Sequence, residues 1–441
     1  MKTIFRSMAD SDSDSDSFYS EEVEMNPSER LFYAIHDWNV AEIETILDAY
    51  PDIVNTKYAT RRSGWGMVTP LMEHFSNGRK NSSTSRVANF LVQRGADVNA
   101  TGHLVLSLTQ NRLGLLPGDA DLVEWSRPRF GVHDDLFPLY IAVQQQHTYN
   151  IEILLGLGGM NINQRTAAGE TALHQACRPF FDDIDLFPDQ IFDEFIDLGE
   201  DSETLGIVRM LIENGADVNC QDNLGMTPLH HACQRVKLRT VPILLDNGAD
   251  VTIKDGKNRT PLEYAALKNY DLAESLLKEC TNIPCQARIE AYEIMASCDS
   301  CSNPYEVLLK AMHLRREYEI PKVAEKPLGC YKNIKECETL EELLLCEQDP
   351  ALTMIHAILA RERIFKGKFF DFNKDMDHFT EAFRKAGLTN MNELQLRYIS
   401  LLEENRAYID FGSSFTGPQT PSWKVALSGL LTLLQWKTTS Y

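Results

Sequence analysis

The chain has 441 residues, of which 64 are acidic and 43 basic, for a formal net charge of -21. A field of that sign repels phosphate backbones and anionic lipid surfaces, which excludes nucleic acid and membrane as expected partners. At 43% hydrophobic the sequence is too apolar to be wholly disordered, and it is too long for one compact core, so two domains or an elongated repeat array with an appendage is expected.

Residues 1–29 open on alternating Ser and Asp from Asp10 to Ser17, followed by Glu21, Glu22 and Glu24. So little apolar surface cannot offset ordering entropy, and the segment is expected to be a disordered acidic tail. Its serines beside aspartates are alternatively acidophilic-kinase targets. No apolar signal core is found in it, and the late apolar run 425–436, interrupted by Ser428, Thr432 and Gln435, is too short to span a bilayer. Ten cysteines in such a chain read as reduced thiols, placing the protein in the cytoplasm or the nucleus.

The strongest signal is an internal repeat. Gly215-Ala216-Asp217-Val218-Asn219 returns as Gly248-Ala249-Asp250-Val251, and Thr227-Pro228-Leu229-His230-His231-Ala232 returns as Thr260-Pro261-Leu262-Glu263-Tyr264-Ala265, both 33 residues on. The period and the two motifs resemble the ankyrin repeat, a turn finger followed by an antiparallel helix pair. The residue types have physical reasons. Thr227 caps the first helix and Pro228 fits its first turn. Leu229 and Ala232 share one face, Val241, Leu244 and Leu245 supply the second helix's buried stripe, and Gly248 ends it in the left-handed conformation.

The same pattern appears earlier at Thr171-Ala172-Leu173-His174, at Phe137-Pro138-Leu139-Tyr140, and at Thr69-Pro70-Leu71 with Gly95-Ala96-Asp97-Val98-Asn99; residues 31–54 form an atypical first repeat. Six repeats over 30–280 are expected to stack into one continuous core with a concave groove. Two insertions break the period, at 100–133 and at 178–206. The core of the second, 182–203, carries ten acidic residues and no Lys or Arg, with five phenylalanines interleaved between 180 and 195. It is either a loop packing back on the array or a receptor for a basic partner segment.

Past the array, Ile289, Tyr292, Ile294, Met295 and then Tyr305, Val307, Leu308, Met312 predict two helices, followed by a linker at 321–327 and further periodic apolar sequence to Ile364. Glu341-Glu342-Leu343 and then Asp349-Pro350-Ala351-Leu352, opening a helix that ends in Arg361-Glu362-Arg363-Ile364, resemble the Fem (feminization) family of ankyrin proteins. The resemblance covers about residues 168–365. From Phe365-Lys366-Gly367-Lys368 onward the sequence departs from that family. The expected fold is all-α: an ankyrin solenoid, then a small tetratricopeptide-like helical region over 286–365, then a divergent segment over 366–441.

The resemblance implies a substrate receptor of a cullin-RING ubiquitin ligase, with a client protein's C-terminal peptide, often ending in Arg, held in the ankyrin groove, and with elongins B and C and a cullin as partners. An acidic, aromatic-lined groove suits a guanidinium. The candidate peptide-binding residues are Asp134, Asp135, Tyr140, Asp182 and Asp183; the alternative for each is packing or solvation. The nearest stretch to an elongin-binding box is Ser275-Leu276 with Cys280. The competing function is an ankyrin scaffold or regulator with no link to ubiquitination.

No catalytic residue, cofactor or metal is assigned. Cys280, Cys285, Cys298 and Cys301 have spacing tolerable for a thiolate zinc site, but the stretch reads as helix that needs none. His174 and His230 occupy the repeat's structural slot, where the ring bonds neighbouring turns. No phosphate-cradling glycine loop, nucleophile elbow or metalloprotease helix occurs.

Overall fold

The computed structural model describes residues 26–60, 64–76, 83–106, 133–178, 202–298, 300–324 and 333–365. The acidic tail up to residue 25, most of both insertions, including Asp182 and Asp183, and the whole of 366–441 lie outside them.

The described chain is mostly helical. Six helix pairs follow in order: α1 (Pro27–His36) and α2 (Val40–Ala49), α3 (Pro70–Ser76) and α4 (Ser83–Gln93), α5 (Pro138–Gln144) and α6 (Thr148–Gly156), α7 (Ala172–Cys177) and α8 (Ser202–Glu213), α9 (Pro228–Gln234) and α10 (Thr240–Asp246), α11 (Pro261–Lys268) and α12 (Tyr270–Glu279). First helices pack on first helices from α1 to α11, and from α4 to α10 second helices pack on second helices, which makes the two-layered ankyrin-type solenoid. One buried cluster runs its length, through Leu31, Leu71, Leu139, Leu173, Leu229 and Leu262. Ser202 already lies in α8, so the final residues of the 178–206 interval belong to the fourth repeat's second helix.

The fingers of the early repeats pair into a small antiparallel sheet in the order β1 (Tyr58–Thr60), β2 (Gly64–Val68), β3 (Gly102–Leu106) and β4 (His133–Leu136). Tyr58 lies opposite Val68, and Gly66 opposite Leu104. Strands β3 and β4, on either side of residues 107–132, pair antiparallel, so the chain rejoins the array beside the point where it left.

Helices this short cannot persist on propensity alone, and several have their ends tied by side chains. Thr171, Thr227 and Thr260 each accept a hydrogen bond from the third backbone N–H of the helix they cap, and the residue at that third position closes the box. Between repeats an asparagine ladder sets the register. Asn55 Nδ2 donates to Gly95 O (2.8 Å) while its Oδ1 accepts from Asp97 N (2.8 Å). Asn99 does the same with Gly159 O and Asn161 N, Asn163 with Gly215 O and Asp217 N, and Asn219 with Gly248 O and Asp250 N. Two of these steps bridge an insertion, so the stacking continues across both.

The later fingers stack through glycine. Gly169 and Gly225 have φ of +78° and +77°, and a Cβ at Gly225 would stand 2.7 Å from Gly256 N. Only glycine combines that dihedral with so close an approach.

Beyond the array come α13 (Cys285–Met295), α14 (Pro304–Glu317), α15 (Leu340–Leu344) and α16 (Pro350–Phe365). Helix α13 packs on α11 and α14, and α16 covers both α13 and α14. Asp349 caps α16 by accepting from Leu352 N at 2.9 Å. No described helix is long and apolar enough to cross a membrane.

Candidate functional site: a buried carboxylate beside the first helices

Stacking the first helices gathers their polar residues with those of the fingers into a row. In the third repeat the Thr-x-x-His pattern is replaced by Phe137 and Tyr140, so α5 begins with no side-chain cap. Tyr140 is 2% exposed and packs edge-on against Phe137, centroids 5.7 Å apart. Its hydroxyl donates to Glu170 Oε2 at 2.7 Å and lies 2.9 Å from Gln175 Oε1. The other Glu170 oxygen accepts from Arg178 Nη1, also at 2.7 Å. A buried carboxylate is thus held between a phenol and a guanidinium, one repeat joined to the next. Arg178 is the last described residue before the acidic insertion. It lines a cleft with Val143, Gln144, Gln146, Gln175 and Ala176 and with Thr204 and Ile207 of α8.

The row continues into the fifth repeat. Asp222 Oδ1 accepts from the backbone N–H of Leu224 and Met226, and its Oδ2 faces His231 Nε2 at 3.0 Å. Burial first, and the charge of Arg178 second, push His231 down to about 3, so a neutral ring donates to the carboxylate. In the sixth repeat Tyr264 takes the place of His231 and donates to Asp255 Oδ2 at 2.5 Å. Glu170, Asp222 and His231 come close enough to surround a cation, but Glu170 is already held by Tyr140 and Arg178, and Asp222 by two amides and the histidine.

His174 and His230 serve as rivets. Thr171 N donates to His174 Nδ1 (3.1 Å), which leaves the proton on Nε2 to donate to Met226 O (3.1 Å); His230 repeats this between Thr227 N and Arg259 O. Burial lowers His174 to about 4 and lowers His230 as well.

Of the five residues singled out from sequence, Asp134 and Asp135 lie on β4, where Asp135 is exposed and has a φ of +61°, and Tyr140 faces inward onto Glu170. Glu170 and Arg178 were not singled out; the signal was the departure of Phe137 and Tyr140 from the repeat pattern. Leu276 and Cys280, the nearest stretch to an elongin-binding box, are buried at 0% and 9% in the core of the last repeat. Among the described residues Cys280, Cys285, Cys298 and Cys301 do not gather into a metal-sized cluster.

A second polar centre lies in the C-terminal helices. The Glu293 carboxylate is gripped by Arg315 through Nε (2.9 Å) and Nη2 (3.0 Å) and by Arg363 Nη2 (2.6 Å). Lys322 reaches both Glu293 (3.5 Å) and Glu336 (2.7 Å), and Arg363 Nε closes the ring on Glu336 (3.0 Å). Burial alone would raise the Glu293 carboxyl, but the Arg315 bonds and the charges of Lys322 and Arg363 outweigh it and hold it below the usual range.

Comparison with protein families matches residues 200–287 to ankyrin repeats (3 copies). The match covers the fourth repeat's second helix, the fifth and sixth repeats, and the start of α13. Ankyrin repeats are protein–protein interaction modules, and the polar row described above lies within and beside the matched stretch.

Proposed function

We propose that this chain is a protein-recognition subunit of the substrate-receptor kind, in which the array holds the C-terminal peptide of a client for a cullin-RING ubiquitin ligase. The observation that carries the reading is the Glu170–Arg178 pair: a guanidinium seated on a buried carboxylate beside Tyr140, the two residues flanking α7. A peptide ending in arginine offers the same guanidinium chemistry and would take the place of Arg178 on Glu170, with Asp134, Asp135, Asp182 and Asp183 as further acidic candidates for its recognition. The net charge of -21 favours a basic segment as client. The likeness of 168–365 to Fem-type receptors supports elongins B and C and a cullin as further partners and cytoplasm or nucleus as the place of action.

Affinity purification of the full chain from cells tests the reading. Recovery of elongins B and C and a cullin together with a client that accumulates when the chain is depleted is the expected result. A reproducible partner without elongins or cullin, and with unchanged turnover, would leave an ankyrin scaffold with no ligase connection.

A further inference from the structure

Cys337 lies in the extended stretch before α15, Cys346 in the turn between α15 and α16, and His356 in the second turn of α16. All three are buried, at 7%, 3% and 4% exposed. The two sulfurs stand 4.0 Å apart, His356 Nε2 is 3.2 Å from Cys337 Sγ, and the three donor atoms all lie within 4.8 Å of one another. Tetrahedral zinc with bonds of about 2.3 Å to sulfur and about 2.0 Å to nitrogen separates its ligands by roughly 3.5–3.8 Å. The observed edges bracket that range.

We propose that Cys337, Cys346 and His356 form a zinc site that clips α15 to α16. Two thiolates and an imidazole are a donor set that selects zinc over calcium or magnesium. Two thiolates also cancel the charge of a divalent ion, so the buried centre is left neutral. The three protein donors leave one tetrahedral position for water. The location needs a clip: α15 has five residues and buries only Leu343, while Leu344 and Leu345 are 47% and 85% exposed. A helix with so small a core gains stability when metal binding is coupled to its folding.

The proton balance is definite. Cys337 N donates to His356 Nδ1 at 3.3 Å, so without metal the ring proton sits on Nε2 and points at the Cys337 sulfur. Zinc takes the place of that proton, which moves to Nδ1 at the expense of the long amide bond. The two thiol protons leave, so two protons are released per ion bound.

The test is metal analysis of the full chain purified with zinc and stripped of loosely held metal on a weak chelator. One equivalent of zinc is expected, with an X-ray absorption signature of two sulfurs and two lighter ligands, the imidazole and the water. Cobalt(II) titration of the chain freed of its zinc by a strong chelator should give a thiolate charge-transfer band. The Cys346→Ser and His356→Gln variants should each weaken zinc binding by at least about tenfold, whereas Cys298→Ser with Cys301→Ser should leave it unchanged. Wild-type chain without retained zinc or cobalt band would overturn the proposal. So would a band that survives in C346S, or a Cys337–Cys346 disulfide in the metal-free chain as isolated, which would make the pair a redox couple. The wild-type stoichiometry and spectrum decide the matter even where a variant fails to fold.

Discussion

The array and the C-terminal helices solve the same problem, holding short helices together, by opposite means. In the array the recurring joints are small and neutral: an asparagine spans two backbone groups of the next repeat, and a histidine ties its own cap to the next finger. In the C-terminal region one buried centre of two carboxylates and three cations ties α13, α14, the 321–336 connection and α16 at once. Loss of one joint in a quasi-one-dimensional stack weakens it locally, while loss of one member of a concentrated network leaves charges buried without partners.

That contrast fixes the order of the expected effects. Glu293→Ala should be the most damaging substitution, destabilising by about 3–5 kcal/mol because Arg315 and Arg363 lose their common carboxylate; urea unfolding should show α13–α16 melting separately from the array. Gly225→Ala should cost about 2 kcal/mol, since it combines a left-handed φ with a close approach to the next finger, and its loss should appear in hydrogen exchange of the fourth to sixth fingers only. Asn163→Ala removes two interstrand-like bonds at a solvent-exposed joint and should cost about 1–2 kcal/mol, with the repeats on either side unfolding less cooperatively.

A further effect is set by pH rather than by substitution. His174 protonates near 6.5 when unfolded and near 4 when folded, and His231 near 3 when folded. Between pH 6.5 and 4 the unfolded chain binds more protons, so stability falls as pH drops through that window and His174 contributes no further loss below it. Urea midpoints of wild type should decline over that range, and His174→Gln should start lower at pH 7 but decline less steeply.

The array was legible because its signals are local: Thr227-Pro228-Leu229-His230 encodes a cap, a first turn and a buried face within four residues, and Gly215 and Gly248 mark helix ends. The helices of the 285–365 region were legible from their apolar spacing. The finger sheet was not, because β2 meets β3 across a whole repeat and its pairing depends on how the helices stack. Tyr140 was legible as unusual, but an inward or outward ring cannot be read from a residue filling a histidine slot, and its partner Glu170 lies 30 residues away. The Glu293 network and the Cys337–Cys346–His356 cluster were invisible for the same reason: their members converge from separate elements and follow no recognised spacing.

The central claim, that a partner's guanidinium takes the place of Arg178 on the buried Glu170 carboxylate, is tested most directly by fluorescence anisotropy of the full chain with labelled peptides that differ only in the last residue. Peptides ending in arginine should bind at least about tenfold more tightly than those ending in glutamine, a preference worth about 1.4 kcal/mol, and Glu170→Gln should erase the difference while the melting of the array stays cooperative. Equal binding of both peptides, or a preference untouched by Glu170→Gln, would contradict the account.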